Sequence, residues 1–248
     1  MGLIETNTSL EFCLKDAVYA QECVPEVLSI KQETFKQLDS LLDPSAIIGS
    51  SVSGLLPSLF MVEGLKHPER CLAAHPVNPP FFCPLVELVP SPKTNKGVVE
   101  RVKALMEDLG QSPIVVKREV PGFVLNRLQY ALLNECYRLL KEDVCSPGDI
   151  DKTITDGLGT RWAFIGPLET THLNAEGIAA YNAKYGELVN NASIPLCDKV
   201  LLTDPKSNEL VELFFNRKVP LDKLAERRAY RDKALAELAA LKRKLGKN

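Results

Sequence analysis

Apolar residues along the chain follow two different patterns, and the change between them falls near residue 120. Before it, short runs rich in branched and aromatic residues alternate with stretches of helical spacing. These runs predict strands over residues 17–24, 46–52, 70–75, 84–90 and 112–120, and helices over 25–42, 55–65 and 95–110. Alternation of strands and helices favours an α/β fold with a parallel sheet joined by crossovers.

From residue 121 onward the apolar spacing is helical. PGFVLNRLQYALLNE begins a long amphipathic helix, Ser146 caps a short helix that starts at Pro147, and GPLETTHLNAEGIAAYNAKYGELV predicts a third. Residues 221–245 carry leucines on a charged background and predict a terminal amphipathic helix packed on its own domain. We therefore predict two domains, an α/β domain over residues 1–120 and an all-helical domain over 121–248.

Composition limits the partners and the compartment that we expect. The 30 basic and 32 acidic side chains among 248 residues give a net charge of −2, which favours neither nucleic acid nor a membrane surface as the main partner. The start, MGLIETNTSLEF, lacks the basic and apolar segments of a signal peptide. Seven cysteines without a CxxC pair are typical of reduced thiols. These features predict a cytoplasmic protein without a metal site.

The segment AAHPVNPPFFCPLVELV, residues 73–89, combines stiff prolines with acid–base groups. His75 ends one predicted strand, and Glu87 lies inside the next. If the turn folds these strands back as neighbours, the carboxylate binds one ring nitrogen, fixes the tautomer and leaves the other nitrogen as a base. Hydride-transfer enzymes need such a base, because the alcohol loses a proton while its carbon loses a hydride. The alternative is a rigid connection with a charged tip.

Two further polar residues lie where a ligand site is expected. Ser53 follows a predicted strand, and ligands of open α/β sheets bind beyond the carboxyl ends of strands. Its alternative role is that of an ordinary helix N-cap. Asn126 lies four residues after Gly122 on an otherwise apolar helix face, where a buried amide needs partners. The alternative is that this amide is exposed to solvent.

Three long motifs carry a resemblance to a known family: AHPVNPPFFCPLVELVP, PGFVLNRLQYALLNE and GLGTRWAFIGPLETTHLN. They are similar to the 3-hydroxyacyl-CoA dehydrogenase superfamily, and more closely to its lambda-crystallin branch, the L-gulonate 3-dehydrogenases. The resemblance implies NAD-dependent oxidation of a small hydroxy acid. It also implies a Rossmann-type domain and a helical domain through which the protein forms a homodimer. One departure is Val52, where this branch tends to carry Thr.

The resemblance also implies roles for the polar residues singled out above. His75 matches the catalytic histidine of the family, which acts as the general base, and Glu87 matches the glutamate that orients and charges it. Ser53 and Asn126 match residues that contact the reacting oxygen of the substrate.

For the cofactor, Glu26 and Lys31 match positions that touch the ribose and nicotinamide side of NAD, and Asn78 matches a residue near the nicotinamide. However, the chain contains no GxGxxG, so the predicted sheet lacks the glycine-rich first βαβ unit that would hold the pyrophosphate. We therefore expect weak NAD binding or none, and no measurable turnover of a hydroxy acid. We also expect an unpaired sheet edge that makes the N-terminal half less stable or is covered by another chain.

Two hypotheses of different class follow. One is an enzyme that oxidises L-gulonate, with a 3-hydroxyacyl-CoA dehydrogenase as the alternative activity. The other is a structural or vestigial shortened paralogue without activity. For the substrate, Arg161 offers a planar guanidinium that matches a carboxylate, and we predict that it anchors a sugar acid. The alternative for Arg161 is a salt bridge between domains or subunits.

Overall fold

The computed structural model describes residues 3–61, 64–175, 177–193 and 220–246, together with residues 209 and 217. The chain divides into two compact units, of which the first ends at Leu128 and the second begins at Gln129. The division lies inside one long helix, Leu125–Lys141.

A five-stranded sheet forms the centre of the first unit. Its strands lie side by side in chain order: β1 (Tyr19–Glu22), β2 (Ile47–Ser50), β3 (Cys71–Pro76), β4 (Leu85–Pro90) and β5 (Ser112–Val115). The pairs β1–β2, β2–β3 and β4–β5 are parallel, whereas β3 and β4 are antiparallel. The predicted α/β fold with a Rossmann-type sheet is confirmed. The antiparallel pair results from the proline-rich turn, which folds β4 back along β3.

The described residues of this unit contain three complete α-helices: α1 (Leu10–Leu14), α2 (Leu28–Leu41) and α3 (Lys96–Asp108). The sequence predicted α3 together with its end. Asn95 caps its start by accepting a hydrogen bond from the main-chain N–H of Gly97, and Gly110 follows its last turn with φ at 76°. That φ lies in the left-handed region, which glycine adopts without steric cost.

Successive side chains of a strand point to opposite sides of the sheet, and both sides are covered here. On one side, Ile48 and Ala73 share a core cluster with Phe35 of α2. On the other side, Ile47 and Leu72 share a second cluster with residues of α3. Because β1 and β2 are parallel neighbours, they end at the same edge of the sheet, and the loops that follow them are neighbours.

The helix predicted over residues 55–65 is wrong. Among the described residues of that segment, 55–61 and 64–65, a single 3-10 turn forms, Pro57–Leu59. The main-chain N–H of Ser58 donates to the carboxylate of Glu119 at 2.8 Å, and Gly64 takes a left-handed φ of 78°. Phe60 is buried in the core, so the apolar residues that suggested a helix are buried by an irregular segment instead.

Several other predicted boundaries in the first unit also differ from the structure, two of them by three residues or more. Helix α2 begins at Leu28 rather than at Pro25, because Val27 is still extended. Strand β5 ends at Val115, whereas the prediction continued it to residue 120.

The described part of the second unit is helical, as predicted. Its helices are α4 (Leu125–Lys141), α5 (Pro147–Lys152), α6 (Gly159–Trp162), α7 (Pro167–Leu173), α8 (Ile178–Ser193) and α9 (Leu224–Lys244). A π-helical segment, Thr153–Leu158, joins α5 to α6. The Ser146 cap is confirmed, since its side chain accepts from Asp149 N at 3.2 Å. None of the helices described in either unit is long and apolar enough to cross a membrane.

The single helix predicted within GPLETTHLNAEGIAAYNAKYGELV is wrong. The segment forms two helices, α7 and α8. They are separated near Gly177, whose φ of 97° is incompatible with a continuous right-handed helix. The terminal helix predicted over residues 221–245 is present as α9.

Candidate active site

The antiparallel pairing of β3 and β4 places His75 directly opposite Glu87. Directly opposed residues carry their side chains on the same face of a sheet. His75 Nδ1 lies 2.9 Å from Glu87 Oε2, and both side chains are buried. The hydrogen bond that the spacing predicted is therefore present.

The second oxygen of Glu87 is held by the start of helix α4. Glu87 Oε1 accepts from the main-chain N–H groups of Val124 and Leu125 at 2.9 and 3.0 Å. The first N–H groups of a helix have no partner within the helix, and the positive end of its dipole favours a carboxylate. The turn at Gly122 and Phe123, which both take left-handed φ values (74° and 48°), directs the two N–H groups towards Glu87. Sequence reasoning missed this contact, although the Pro-Gly pair before α4 signalled a tight turn.

These contacts set the protonation of the pair. Burial by itself would raise the pKa of Glu87, but hydrogen bonds from His75, Leu125 and Val124 lower that pKa below its ordinary value. An ionised carboxylate only accepts hydrogen bonds, so His75 Nδ1 carries the shared proton. In the neutral imidazole, Nε2 is then the acceptor. The ring of Phe123 meets that of His75 edge-on, with centroids 5.8 Å apart, and limits its movement.

The first turn of α4 connects this pair to Ser53. Asn126 follows Leu125, is buried, and donates its side-chain amide to the main-chain oxygen of Ser53 at 2.8 Å. A chain of hydrogen bonds thus runs from Glu87 through the start of α4 to the loop after β2. The structure brings together the four residues predicted for the reaction, but it places the Asn126 amide on a main-chain carbonyl.

Glu26 lies in the loop after β1 and binds the neighbouring loop that contains Ser53. Its carboxylate accepts from Ser53 Oγ at 2.7 Å and from the main-chain N–H groups of Ser53, Gly54 and Leu55 at 3.3, 2.5 and 3.0 Å. Burial acts to raise the pKa of Glu26, and these four hydrogen bonds outweigh it and lower the pKa. The predicted contact with NAD remains a prediction.

Lys31 is buried, and its ammonium is 3.0 Å from both oxygens of the buried Glu22. Glu22 also accepts from Ser50 Oγ at 2.6 Å and from Val24 N at 2.5 Å. This network joins the carboxyl ends of β1 and β2 to α2, so a cofactor contact by Lys31 would require its present partner to be displaced. Sequence reasoning missed Glu22. The signal in the sequence was the spacing, since Lys31 precedes the apolar Phe35 by four residues and so lies on the same helix face. The structure buries that face.

Asn78 and Arg161 remain to be placed. Asn78 is exposed in the turn between β3 and β4. Arg161 is exposed on α6 in the second unit. Their predicted roles, near the nicotinamide and at a substrate carboxylate, stay predictions.

Comparison with known proteins gives the same assignment for both halves of the chain. Residues 1–120 match the profile of the 3-hydroxyacyl-CoA dehydrogenase NAD-binding domain, and residues 122–210 match that of the 3-hydroxyacyl-CoA dehydrogenase C-terminal domain. Lambda-crystallin of Oryctolagus cuniculus is 47% identical over 99% of this chain and 77% of its own length. The chain belongs to the 3-hydroxyacyl-CoA dehydrogenase family. Within that family it is of the lambda-crystallin type.

Two other members of the family are informative. L-carnitine dehydrogenase of Pseudomonas aeruginosa is 41% identical over 72% of this chain and 56% of its own length. The solved structure of 5-formyl-3-hydroxy-2-methylpyridine 4-carboxylic acid 5-dehydrogenase, an NAD+-dependent dismutase, superimposes with a TM-score of 0.81 at 27% identity. That superposition covers 100% of this chain and 80% of the other.

The first unit is thus of an NAD-binding type, and its residues fit the nicotinamide side of NAD only in part. Asn78 is exposed and can contact a ligand as it stands. Glu26 and Lys31 are engaged with Ser53 and Glu22. The 248 residues contain no GxGxxG.

Proposed function

We propose that this family member is an NAD-dependent dehydrogenase of a small 3-hydroxy acid, with His75 as the general base. The observation that carries the proposal is the buried His75–Glu87 hydrogen bond, whose carboxylate is fixed at the start of α4. Imidazole is the side chain best suited to exchange a proton near neutral pH.

The residues of the chain perform the proton half of the reaction. With Nδ1–H bound to Glu87, His75 Nε2 takes the proton of the substrate hydroxyl. The imidazolium that forms lies beside an ionised carboxylate, which stabilises it. Glu87 keeps its negative charge because two main-chain N–H groups bind its other oxygen. When bound, NAD would accept the hydride that leaves the carbon bearing this hydroxyl.

For the substrate we propose L-gulonate, a free sugar acid. The support is the 47% identity to lambda-crystallin, together with the resemblance of three motifs to the L-gulonate 3-dehydrogenases. A second family member, L-carnitine dehydrogenase, is named for a substrate that is not an acyl-CoA. Arg161 is proposed as the anchor of the substrate carboxylate, because a guanidinium binds a carboxylate through two parallel hydrogen bonds.

We further propose that the protein is a cytoplasmic homodimer that assembles through its helical unit. Several large apolar side chains of that unit are exposed, including Leu168, Leu173 and Leu188. A dimer would bury such side chains if they share one face, because contiguous apolar patches mark interaction sites, and closed symmetric dimers are the commonest oligomers.

The second candidate is a protein without enzymatic activity. One observation favours it: Glu26 and Lys31 are engaged with other protein groups, Ser53 and Glu22. In that case the chain binds NAD weakly or not at all, and its helical unit serves assembly.

Titration of the purified chain with NADH, followed by the fluorescence of the cofactor, separates the two candidates. The dehydrogenase proposal expects saturable binding and NADH formation from NAD and L-gulonate, at a higher rate than from a 3-hydroxyacyl-CoA. A faster rate with the acyl-CoA would favour the alternative activity, that of a 3-hydroxyacyl-CoA dehydrogenase, over the oxidation of L-gulonate. Neither binding nor turnover would favour the non-enzymatic protein.

A further inference from the structure

The turn before helix α4 holds one residue in a backbone conformation that its side chain does not favour. Phe123 has a φ of 48°, in the left-handed region, which for a bulky residue is a conformational outlier. Its side chain is fully buried. Residues in this region persist only where the surrounding structure fixes them, and they cluster at functional sites. The conformation of Phe123 therefore indicates a role beyond connecting a strand to a helix.

Three hydrogen bonds fix this turn. The main-chain N–H of Phe123 donates to the main-chain oxygen of Val120 at 3.0 Å. The next two N–H groups, those of Val124 and Leu125, donate to Oε1 of Glu87 at 2.9 and 3.0 Å. These two donors follow Phe123 directly, so its φ sets the direction in which they point. The carboxylate of Glu87 therefore stabilises the left-handed conformation of Phe123.

The side chain that this conformation places is in contact with His75. The centroids of the two rings are 5.8 Å apart and their planes are inclined by 63°, an edge-to-face arrangement. Nδ1 of His75 lies 2.9 Å from Glu87 Oε2. A hydrogen bond weakens steeply only below an angle of about 120°, so this bond alone lets the plane of the imidazole tilt. The ring of Phe123 is a second contact on the imidazole and narrows that tilt.

We propose that Phe123 is a positioning residue that sets the plane of the His75 ring, and that Glu87 acts on His75 by two routes. The direct route is the hydrogen bond to Nδ1. The indirect route runs from Glu87 Oε1 through the turn to the ring of Phe123. The inference rests on the proposed function and deepens it, because the direction of Nε2 decides whether a substrate hydroxyl can give its proton to the ring.

Phe123 also belongs to a hydrophobic core cluster, so the test must separate positioning from packing. Phe35 is the matched residue, because it is a phenylalanine of the same cluster and is equally buried. The ring of Phe123 meets His75, whereas that of Phe35 meets Phe60. Phe35→Leu and Phe123→Leu therefore remove the same atoms from the same core, but only the second removes the contact with the imidazole.

The first measurement follows the Nδ1 proton of His75 by NMR of the full chain containing isotope-labelled histidine. His75→Gln identifies the signal by removing it. A protected Nδ1 proton is expected in the wild type. Its exchange with solvent is expected to be about 2- to 10-fold faster in Phe123→Leu, because the interaction energy of an aromatic pair is of that size. Phe35→Leu is expected to leave the exchange rate unchanged.

The second measurement is the steady-state rate of NADH formation from NAD and L-gulonate. The plane of the imidazole affects proton transfer rather than binding. Phe123→Leu is therefore expected to lower kcat about 2- to 10-fold while the KM for L-gulonate stays unchanged. Phe35→Leu is expected to keep the wild-type kcat, since its side chain has the same place in the core but a different partner.

Gly122→Ala tests the indirect route. Gly122 has a φ of 74°, so an added Cβ strains the turn while Phe123 and Glu87 are both retained. It is expected to accelerate exchange of the His75 Nδ1 proton, but to add no further acceleration in the Phe123→Leu background. Gly110→Ala is the matched control, because Gly110 has a φ of 76° at the end of α3. It is expected to leave the exchange rate unchanged.

The possible failures are distinguishable because proton exchange requires neither cofactor nor substrate. An unprotected Nδ1 proton in the wild type, or an unchanged exchange rate in Phe123→Leu, would overturn the inference whether or not the protein is a dehydrogenase. Equal acceleration by Phe35→Leu would mean a general loosening of the core and would overturn it as well. A wild-type exchange rate in Gly122→Ala would overturn the indirect route. A wild-type chain that forms no NADH would overturn the proposed function, and proton exchange would still decide whether Phe123 holds His75.

Discussion

Glu87 is a buried carboxylate whose two oxygens serve different parts of the first unit. Oε2 holds the ring of His75, and Oε1 holds the start of α4 through Val124 and Leu125. Its ionisation is therefore linked both to the proposed chemistry and to the packing of helix α4. The pH dependence of the free energy of unfolding can therefore report on its pKa.

The lowered pKa of Glu87 predicts an acid limb in the stability of the protein. A carboxyl whose folded pKa is depressed contributes stability that is complete above its unfolded pKa, about 4.3, and is lost as the pH falls through the folded pKa. The free energy of unfolding of the wild type, minus that of Glu87→Gln, is expected to shrink below about pH 4. Urea unfolding followed by circular dichroism measures it. A difference that does not change between about pH 7 and about pH 3 would refute the assignment.

Arg161 provides a test of the proposed substrate anchor. Because a guanidinium–carboxylate pair is charge-assisted, Arg161→Ala is expected to raise the KM for L-gulonate about 10-fold or more, with little change in the KM for NAD. Arg161→Lys keeps the charge without the planar fork, so its KM for L-gulonate should lie between those of the wild type and Arg161→Ala. Steady-state rates of NADH formation provide the measurement. An unchanged KM for L-gulonate in Arg161→Ala would exclude the anchor role and favour the alternative, a salt bridge between domains or subunits.

At this scale, the sequence was sufficient for His75 and Glu87 and insufficient for Glu26. The two former residues lie in adjacent apolar runs joined by a proline-rich turn, so their pairing follows from strand register. The contacts of Glu26 are to three main-chain N–H groups and one hydroxyl of another loop. Main-chain donors carry no residue-specific signal, so this arrangement depends on the folded geometry of both loops.

Among the elements, α2 carries the least expected side chain, a buried lysine. Lys31 lies on the face of α2 that also buries Phe35 and Leu38. The charge of Lys31 is balanced by Glu22 on β1. The pair joins a helix to the end of a strand, and its role in stability is separable from any role in cofactor binding.

Lys31→Met is expected to destabilise the first unit by roughly 3–5 kcal/mol, because it leaves Glu22 buried and charged without its partner. Adding Glu22→Gln to Lys31→Met is expected to recover part of that loss. Urea unfolding followed by circular dichroism reports both changes. Unaltered stability of Lys31→Met, combined with weaker NADH binding, would instead support the cofactor contact that the sequence predicted.

Elements with their own capping signals were predictable, and the irregular segment was not. Helix α3 has Asn95 before it and Gly110 after it, and its predicted position is confirmed. Residues 55–65 have apolar spacing close to that of a helix, but the main-chain N–H of Ser58 goes to Glu119, far along the chain. Such long-range competition for main-chain groups is absent from local periodicity.

For the whole molecule, the exposed apolar residues of the helical unit predict assembly. Leu188 on α8 is 66% exposed and is one of several exposed leucines of this unit, with Leu168 and Leu173. Leu188→Glu is expected to shift the protein from dimer to monomer at micromolar concentration, whereas Asn191→Glu adds the same charge at a nearby exposed position and should have less effect. Analytical ultracentrifugation distinguishes the species. A wild-type monomer at micromolar concentration would exclude this assembly.

The central claim is that His75, held by Glu87, is the base of an NAD-dependent dehydrogenase. The most direct test is the rate of NADH formation from NAD and L-gulonate by the wild-type chain and by His75→Gln. We expect turnover by the wild type and a fall in kcat of about 10²–10⁴-fold in the variant, with NADH affinity unchanged, because only the proton acceptor is removed. No NADH formation by the wild type, or a wild-type rate in His75→Gln, would contradict the claim.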